Sequence, residues 1–497
     1  MDSPGQISIK QPVEALHRAN QVRAMDRFAI DQLGISGLDL MRRAGREAFR
    51  ILTQMCPPSG PVMVFCGAGN NAGDGYVVAR LAREAGYSVQ VYAIVPPEKL
   101  VGDAAAIYRE FVDQGGTICL YADEMRAFGG IVVDALLGTG LDRPVSGRFE
   151  EVIREINCFE GPVLSLDVPS GLNADTGCPM GIAVRADRTV TFIGAKQGLY
   201  TGDGVDYSGE VCFVSLDVPA SVVASETPSA GLLGSPQGAF ARRARSAHKG
   251  QFGHVLIVGG NSGYSGAACM AGKASARVGA GLISLATRAS HASFMTLGQP
   301  ELMCHGVESA DQLDMLLARA TVVGIGPGLG QERWSRALFD AVRDSSVPLV
   351  IDADALNILA QSPFRRTDWV LTPHPGEAAR LLDTDTAAIR NDRFAAVSAI
   401  QEQYGGTCLL KGVGTLIADG HVIAVCPTGN PGMASGGMGD VLTGVIAGLI
   451  AQGFDIGDAA RAGAYLHGEA ADMAAVAGER GLLATDLLPY LYHLVNP

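Results

Sequence analysis

The run Asn430-Pro-Gly-Met-Ala-Ser-Gly-Gly-Met-Gly-Asp440, followed at once by an apolar stretch over 441–450, can fold in few ways. Glycine this dense lets several backbone N–H groups converge on one point, and the apolar run predicts a buried helix whose N-terminus faces that point. Such a helix start is an anion site. A carboxylate placed there is repelled by a phosphate unless it has a task, such as taking a proton from a hydroxyl about to be phosphorylated. Asp440 is therefore the first candidate for a catalytic base. The alternative is that it caps the helix through a bond to a backbone N–H.

A chain of 497 residues exceeds one ordinary core, so two domains are expected. With 64 glycines, many tight turns between strands and helices are expected. The net charge of −13 argues against general affinity for nucleic acid or an anionic membrane, and small-molecule chemistry fits it better. Ten cysteines at irregular spacing, with no Cys-x-x-Cys pair, read as buried reduced thiols of a cytoplasmic protein. The start Met1-Asp-Ser-Pro-Gly carries no basic and apolar export signal, and the longest apolar stretch is too short to span a bilayer.

In the first half, apolar residues recur at three- and four-residue steps from Pro12 to Leu52, broken by Gly34 and Gly37, which predicts two helices. The strand Pro61-Val-Met-Val-Phe-Cys66 then leads through Gly67-Ala-Gly-Asn-Asn-Ala-Gly-Asp-Gly75 into a helix expected from Tyr76. That setting gives a Gly-x-Gly signature its meaning, because backbone donors then sit at a helix start. Asn70, Asn71 and Asp74 add polar groups that a plain phosphate cradle does not need, so a cation or a polar ring is expected there; the alternative is that the asparagines serve the turn. Further strands are expected at 88–95, 130–137, 162–166, 188–193 and 209–214, separated by helical patterns. Alternation of this kind means a parallel sheet, with ligands at the C-terminal ends of its strands. Asp134 lies inside an apolar strand, where an unpaired carboxylate is expensive; with Asn71 and Ser170 it offers oxygen ligands to a hard cation. Asp167 ends the neighbouring strand and is free to act on a substrate proton, while Lys196 reads equally as a solvated lysine or a ligand contact.

Cys66-Gly-Ala-Gly-Asn-Asn-Ala-Gly-Asp-Gly75, Val133-Asp-Ala-Leu-Leu-Gly-Thr-Gly140 and Leu166-Asp-Val-Pro-Ser-Gly-Leu172 together resemble the NAD(P)H-hydrate epimerase domain, over roughly residues 11–220. The resemblance implies a Rossmann-like three-layer fold that interconverts the R and S forms of hydrated NADH or NADPH, with a bound potassium ion. It implies substrate contacts at Asn70, Asn71, Ala72, Gly73 and Asp74, at Gly138, Thr139, Gly140, Leu141, Asp142, Arg143 and Pro144, and at Asp167 as the catalytic group. Asn71, Asp134 and Ser170 would hold the potassium. The family usually has glycine where this chain has Ala72, so a position needing positive φ would be strained here.

Between Pro219 and Phe240 the periodicity lapses, and 226–240 reads as a linker between domains 1–225 and 241–497. The basic run Arg242-Arg-Ala-Arg-Ser-Ala-His-Lys249 is read as a loop facing phosphates or a subunit neighbour, since a nucleic-acid surface needs more positive charge than this acidic chain offers. Strand and helix then alternate again, which predicts a second α/β domain. His374, between two prolines, is held rigidly and favours a substrate contact over a surface role. Lys411-Gly-Val-Gly-Thr415 offers an ammonium, flexible backbone and a hydroxyl to nucleotide phosphates without Walker A spacing. A hairpin is expected around Asp419-Gly420, a dipeptide suited to a type I′ turn.

With Gly437-Met-Gly-Asp440, this half resembles the ribokinase-like superfamily. More closely, Lys249-Gly-Gln-Phe-Gly-His-Val-Leu-Ile-Val-Gly-Gly260, Gly324-Ile-Gly-Pro-Gly-Leu-Gly330 and Leu371-Thr-Pro-His-Pro-Gly-Glu377 resemble the ADP-dependent NAD(P)H-hydrate dehydratase domain, over about 241–495. The resemblance implies that Ala268, Gly328 and His374 line the hydrate site and that Asp440 contacts substrate. It implies that Lys411, Gly412, Val413, Gly414, Thr415 and Gly439 bind ADP, a co-substrate arriving with magnesium. Hydrated NADH or NADPH and ADP are then the small-molecule partners, with neither nucleic acid nor membrane, and a homo-oligomer is expected. Two other readings stand beside this one. A kinase of a small hydroxylated metabolite would accumulate a phosphorylated product, and a nucleotide-sensing module would not need Asp134, Asp167 and Asp440 together.

Overall fold

Short apolar runs ending in glycine fold here as parallel strands, and the central ones, such as Ile131–Ala135 and Val322–Ile325, are buried on both faces. The computed structural model describes residues 13–57, 60–121 and 129–496; Met1-Asp-Ser-Pro-Gly and Pro12 lie outside them. The chain divides into two units, one of Ala15–Ala230 and one of Gly231–Pro497 together with Met1–Glu14.

The first unit is built on a seven-stranded sheet in the order Ile118–Leu120, Ser88–Ala93, Pro61–Cys66, Ile131–Ala135, Val163–Leu166, Arg188–Phe192, Glu210–Val214. Every pair in it is parallel. The chain leaves Pro61–Cys66 toward one edge and returns at Ile131–Ala135 to build the other, so the topological switch point lies between these two strands. Ligands of open α/β sheets bind at the C-terminal side of that point. The two segments that must meet there are the one after Cys66 and the one after Ala135. A Cβ on Gly67 would fall 1.9 Å from the Leu136 carbonyl oxygen, so only glycine permits the approach.

The second unit repeats the principle. Its sheet runs Met303–Gly306, Leu282–Thr287, His254–Val258, Val322–Ile325, Leu349–Ile351, Trp369–Leu371, Thr407–Leu410, Thr415–Ala418, Ile423–Cys426, Ala230–Leu233. The first seven are parallel, and a hairpin of two antiparallel pairings follows. The switch point lies between His254–Val258 and Val322–Ile325, where a Cβ on Gly259 would come 2.1 Å from the Pro327 carbonyl oxygen. The helix Met438–Ala451 is buried along nearly its whole length and packs against Ser265–Arg277. The expected helix over 441–450 is therefore present.

Several expectations are corrected. Val13–His17 is a strand, paired in parallel with Ala195–Lys196, and the first helix starts only at Ala19. Leu16, inside the stretch expected to be helical, is fully buried in that strand. The helix expected from Tyr76 begins at Asn70, with Gly69 as its N-cap. Gly73 and Gly75 thus sit inside it because neighbours leave no room: added Cβ atoms would meet Met41 Sδ at 2.3 Å and Ala135 Cβ at 2.6 Å. Ala72 lies in the helical first turn, outside the positive-φ set, so the feared strain is absent. The stretch read as a linker contains Ala230–Leu233, a strand beside Ile423–Cys426. Its side chains are short and apolar, without the alternation that would have marked them. The hairpin is present, but its turn is not type I′, which needs positive φ at both central residues; Gly420 has it and Asp419 does not. All ten cysteines are free, yet Cys119 and Cys158 are exposed rather than buried. Among the described residues no helix is long and apolar enough to cross a membrane.

Candidate functional sites

In the first unit the switch point gathers the polar groups. Asn70, Asn71, Ala72, Gly73 and Asp74 form the first helical turn after Pro61–Cys66. Across from them the segment 138–144 opens to solvent after Ile131–Ala135. Asn71 Nδ2 donates to the Leu137 carbonyl at 3.1 Å and ties the two together. Its Oδ1 is buried and accepts nothing.

Asp134 is fully buried, and its register opposite Ser165 supplies the first of its donors. Ser165 Oγ and Ser170 N each donate to Oδ2 at 2.8 Å, while Ser170 Oγ at 2.5 Å and Leu136 N at 3.3 Å donate to Oδ1. Burial still pushes this carboxyl upward against those four bonds. These four donors offset part of the cost of burying the carboxylate. In this group the unpaired acceptor is Asn71 Oδ1, and it is the position that fits a cation.

Asp167 follows Val163–Leu166 with φ of +66°, a backbone state costly for any residue but glycine. Its Oδ1 pairs with the Lys196 ammonium. Lys196, which read equally as solvated, is 1% exposed and also donates to the Phe192 carbonyl at 2.9 Å. Asp74 and Asp26 belong to the same electrostatic cluster. Burial raises Asp74 well above the usual carboxylate range, with Asp167 and Asp26 adding to it and Lys196 opposing. Burial also raises Asp26, to about 6, with Lys196 opposing and Asp167 adding. Asp26 was missed from sequence, where it is one more charge on an amphipathic helix.

In the second unit the helix Met438–Ala451 starts at Gly437, which has φ of +94°, and Asp440 lies in its first turn. The capping alternative fails, because the cap position is Gly437 and it makes no side-chain bond. A Cβ on Gly439 would sit 3.3 Å from Lys411 Nζ and 3.4 Å from Asp352 Oδ2, so the helix start, the lysine and this aspartate share one spot. Burial raises Asp440 to about 7, with the Asp352 charge adding and Lys411 opposing.

Asp352 is the residue the sequence reading passed over. It follows Leu349–Ile351, and the register Ile351 opposite Leu371 sets it beside Thr372. Its carboxylate accepts from Lys411 Nζ at 2.7 Å, Thr372 Oγ1 at 2.9 Å and Thr443 Oγ1 at 2.9 Å. Burial alone would raise this carboxyl, but the Lys411 ammonium and these bonds bring it below its ordinary value. Lys411 is in turn held protonated against burial by Asp352, Glu377 and Asp440. A signal existed: Asp352 and Thr372 each stand one residue past a buried apolar strand, as Asp167 does.

Gly412, Val413 and Gly414 form the open turn after Lys411, and Thr415 begins the next strand. Buried Arg393 fixes the turn from below, donating to the Leu410, Lys411 and Gly414 carbonyls. His374 turns out to cap the helix Pro375–Leu381: Nδ1 accepts from Gly376 N at 3.0 Å and Glu377 N at 3.3 Å, and Glu377 Oε2 accepts from His374 N at 2.8 Å. That leaves Nε2 on the exposed side, 3.3 Å from Glu377 Oε1. Burial and the Lys411 charge lower this imidazole. Gly328, with φ of +58°, lies against Tyr264 at the switch point, while the Ala268 side chain is wholly buried. Arg243, from the basic run read as facing phosphates, stacks on Phe252 and donates to the Gly279 carbonyl.

Residues 255–492 match the family described as NAD(P)H-hydrate dehydratase, and residues 37–198 match the family described as YjeF-related protein N-terminus. The bifunctional NAD(P)H-hydrate repair enzyme of Coxiella burnetii is 48% identical, covering 97% of this chain and 99% of that one. The Escherichia coli enzyme of the same name is 41% identical over 98% and 96%. Among solved structures, an ADP/ATP-dependent NAD(P)H-hydrate dehydratase from Bacillus subtilis is 28% identical, covering 51% of this chain and 92% of that one with a TM-score of 0.46. The near full-length identity leaves one conclusion: this chain belongs to the bifunctional NAD(P)H-hydrate repair enzyme family.

Proposed function

We propose that this chain restores hydrated NADH and NADPH in two steps. The first domain, 1–225, interconverts the R and S hydrates, and the second, 241–497, dehydrates the S form with ADP as phosphoryl donor, yielding NAD(P)H, AMP and phosphate. The observation that carries the reading is the convergence of Gly439, Lys411 and Asp352 beside Asp440 at one helix start.

Hydroxide leaves poorly from carbon, and a phosphate leaves well. Asp440, poised near neutrality, takes the proton of the 6-hydroxyl as it attacks the terminal phosphoryl group of ADP. The free N–H groups at the start of Met438–Ala451 stabilise the transferring phosphoryl group. The Lys411 ammonium, oriented by Asp352, draws the nucleotide phosphates to that point, and the segment Gly412 to Thr415 lies along them. The ring nitrogen then expels phosphate from C6, and a proton lost from C5 to the departing phosphate leaves the C5–C6 double bond of NAD(P)H. Ala268, Gly328 and His374 Nε2 flank the hydrate, and ADP arrives as its magnesium complex.

In the first domain Asp167, ion-paired with Lys196, is the base for epimerisation. Asn70 to Asp74 and the segment 138–144 hold the substrate on either side of it. Asn71, Asp134 and Ser170 would hold a potassium ion, whose positive charge would counter the phosphates of the substrate.

The test is incubation of the full chain with separated R and S hydrates of NADH, with and without ADP. Recovery of NADH from the S form only with ADP, and from the R form only while Asp167 is intact, is the expected result. A stable phosphorylated product without NADH would overturn it.

A further inference from the structure

Arg393 stands where a cation is unfavourable on two counts. It is 4% exposed, and it opens the helix Arg393–Tyr404, whose dipole disfavours positive charge at that end. The helix packs on Thr407–Leu410 and Thr415–Ala418, the antiparallel strands that flank the turn after Lys411, and so brings its first residue beneath that turn. There the guanidinium donates to the Leu410 carbonyl at 3.3 Å, the Lys411 carbonyl at 3.4 Å and the Gly414 carbonyl at 3.3 Å. The approach is close, since a Cβ on Gly412, which has φ of +138°, would fall 2.5 Å from Arg393 Nη1. A fourth carbonyl, that of Gly412, accepts from Thr415 Oγ1 at 2.9 Å.

In a trans peptide the C=O and the N–H point opposite ways. Carbonyls turned down onto Arg393 therefore turn amide hydrogens up. The Leu410 peptide shows the sense, because its N–H, on Lys411, reaches across to the Pro373 carbonyl at 2.8 Å. The next peptide carries the Lys411 carbonyl and presents the Gly412 N–H on the side away from the guanidinium, the open side of a turn whose Val413 is 54% exposed. Without Arg393 these peptides are free to rotate, and a carbonyl oxygen facing outward repels a phosphate. The charge itself adds to the effect: Asp352 offsets the Lys411 ammonium at 2.7 Å, and the guanidinium beneath strengthens the positive field that an anion meets. Resting on the reading that lays the ADP phosphates along Gly412 to Thr415, we infer that Arg393 is a positioning residue for the nucleotide. It sets the affinity for ADP by holding the turn with its N–H outward, and it touches neither the hydrate nor the reacting atoms.

The test uses the full chain and the pure S hydrate of NADH, with NADH recovery measured against ADP at saturating hydrate and against hydrate at saturating ADP. Arg393→Met should raise KM for ADP about 10- to 100-fold, the range expected for hydrogen bonds to a charged group. At the same time kcat and KM for the hydrate should stay within about twofold of wild type, a split that general loosening of the domain does not produce. Gly412→Ala keeps the guanidinium and aims its new methyl at Arg393, away from the open face, so it lifts the turn off its support and should raise KM for ADP in the same way. That variant decides the matter where Arg393→Met does not fold. A wild-type KM for ADP in Gly412→Ala, or KM for ADP and for hydrate rising together in either variant, would overturn the inference. Wild-type ADP affinity in Lys411→Met would instead refute the placement of the phosphates on which it rests.

Discussion

Replacing Asp440 by asparagine should move activity and stability in opposite directions. The folded protein raises this carboxyl from 3.8 to about 7, chiefly by burial and secondarily by Asp352. At 1.36 kcal/mol per pH unit, that separation amounts to about 4 kcal/mol against the ionised form. Asp440 keeps partial solvent access, and screening reduces the figure to about 2 kcal/mol. The unfolded chain ionises first as pH rises, so this stability is fully present below 3.8, is lost between there and about 7, and does not return above. Asparagine does not titrate. Asp440→Asn should therefore melt about 4–8 °C higher than wild type at pH 8 for a unit of this size, with the gap closing toward pH 4. Dehydration of the S hydrate should slow by about 100- to 10,000-fold, and the rise of wild-type rate with pH toward a plateau above about 7 should vanish. Calorimetry across pH, paired with NADH recovery from S hydrate and ADP, reads both effects. Normal turnover would refute the base assignment, and a variant that melts lower at pH 8 would refute the burial argument.

Other perturbations separate the remaining roles. Lys411→Met strips the counter-ion from a carboxylate whose side chain is 2% exposed, so a loss of about 3–5 kcal/mol is expected by denaturant titration, together with weakened ADP binding. An unchanged ADP affinity would exclude the phosphate role. Asn71→Ala removes the unpaired acceptor at the switch point, so potassium should raise the melting temperature of wild type relative to lithium and have no such effect on the variant. An equal potassium effect in both would place the cation elsewhere. Gly444→Ala would put a Cβ 2.0 Å from the Ala271 carbonyl oxygen, where two helix backbones meet, and should cost about 3 kcal/mol in unfolding free energy. A loss under about 1 kcal/mol would mean that the helices separate easily.

The sequence by itself determined the architecture and which segments follow the C-terminal ends of the strands. Apolar runs ending in glycine become parallel strands, and the segments after them lie along one sheet edge, which is where Asn71 and Asp167 stand. Gly437-Met-Gly-Asp440 was legible for a local reason, because a positive φ followed by an apolar run specifies a helix start. Tertiary structure decided which charges face one another. Asp352 meets Lys411 and Thr443 only because strand register and the buried helix bring residues 91 and 59 positions apart to one carboxylate. Lys196 is buried and Asp26 joins Asp167 for the same reason, through packing that no local pattern encodes. His374 shows the converse. Its rigidity between prolines was visible, while its service as a helix cap through Nδ1 depends on a ring orientation that spacing does not specify. Local patterns report what a segment must bury or cap, and pairings between distant charges emerge only when separate elements close around them.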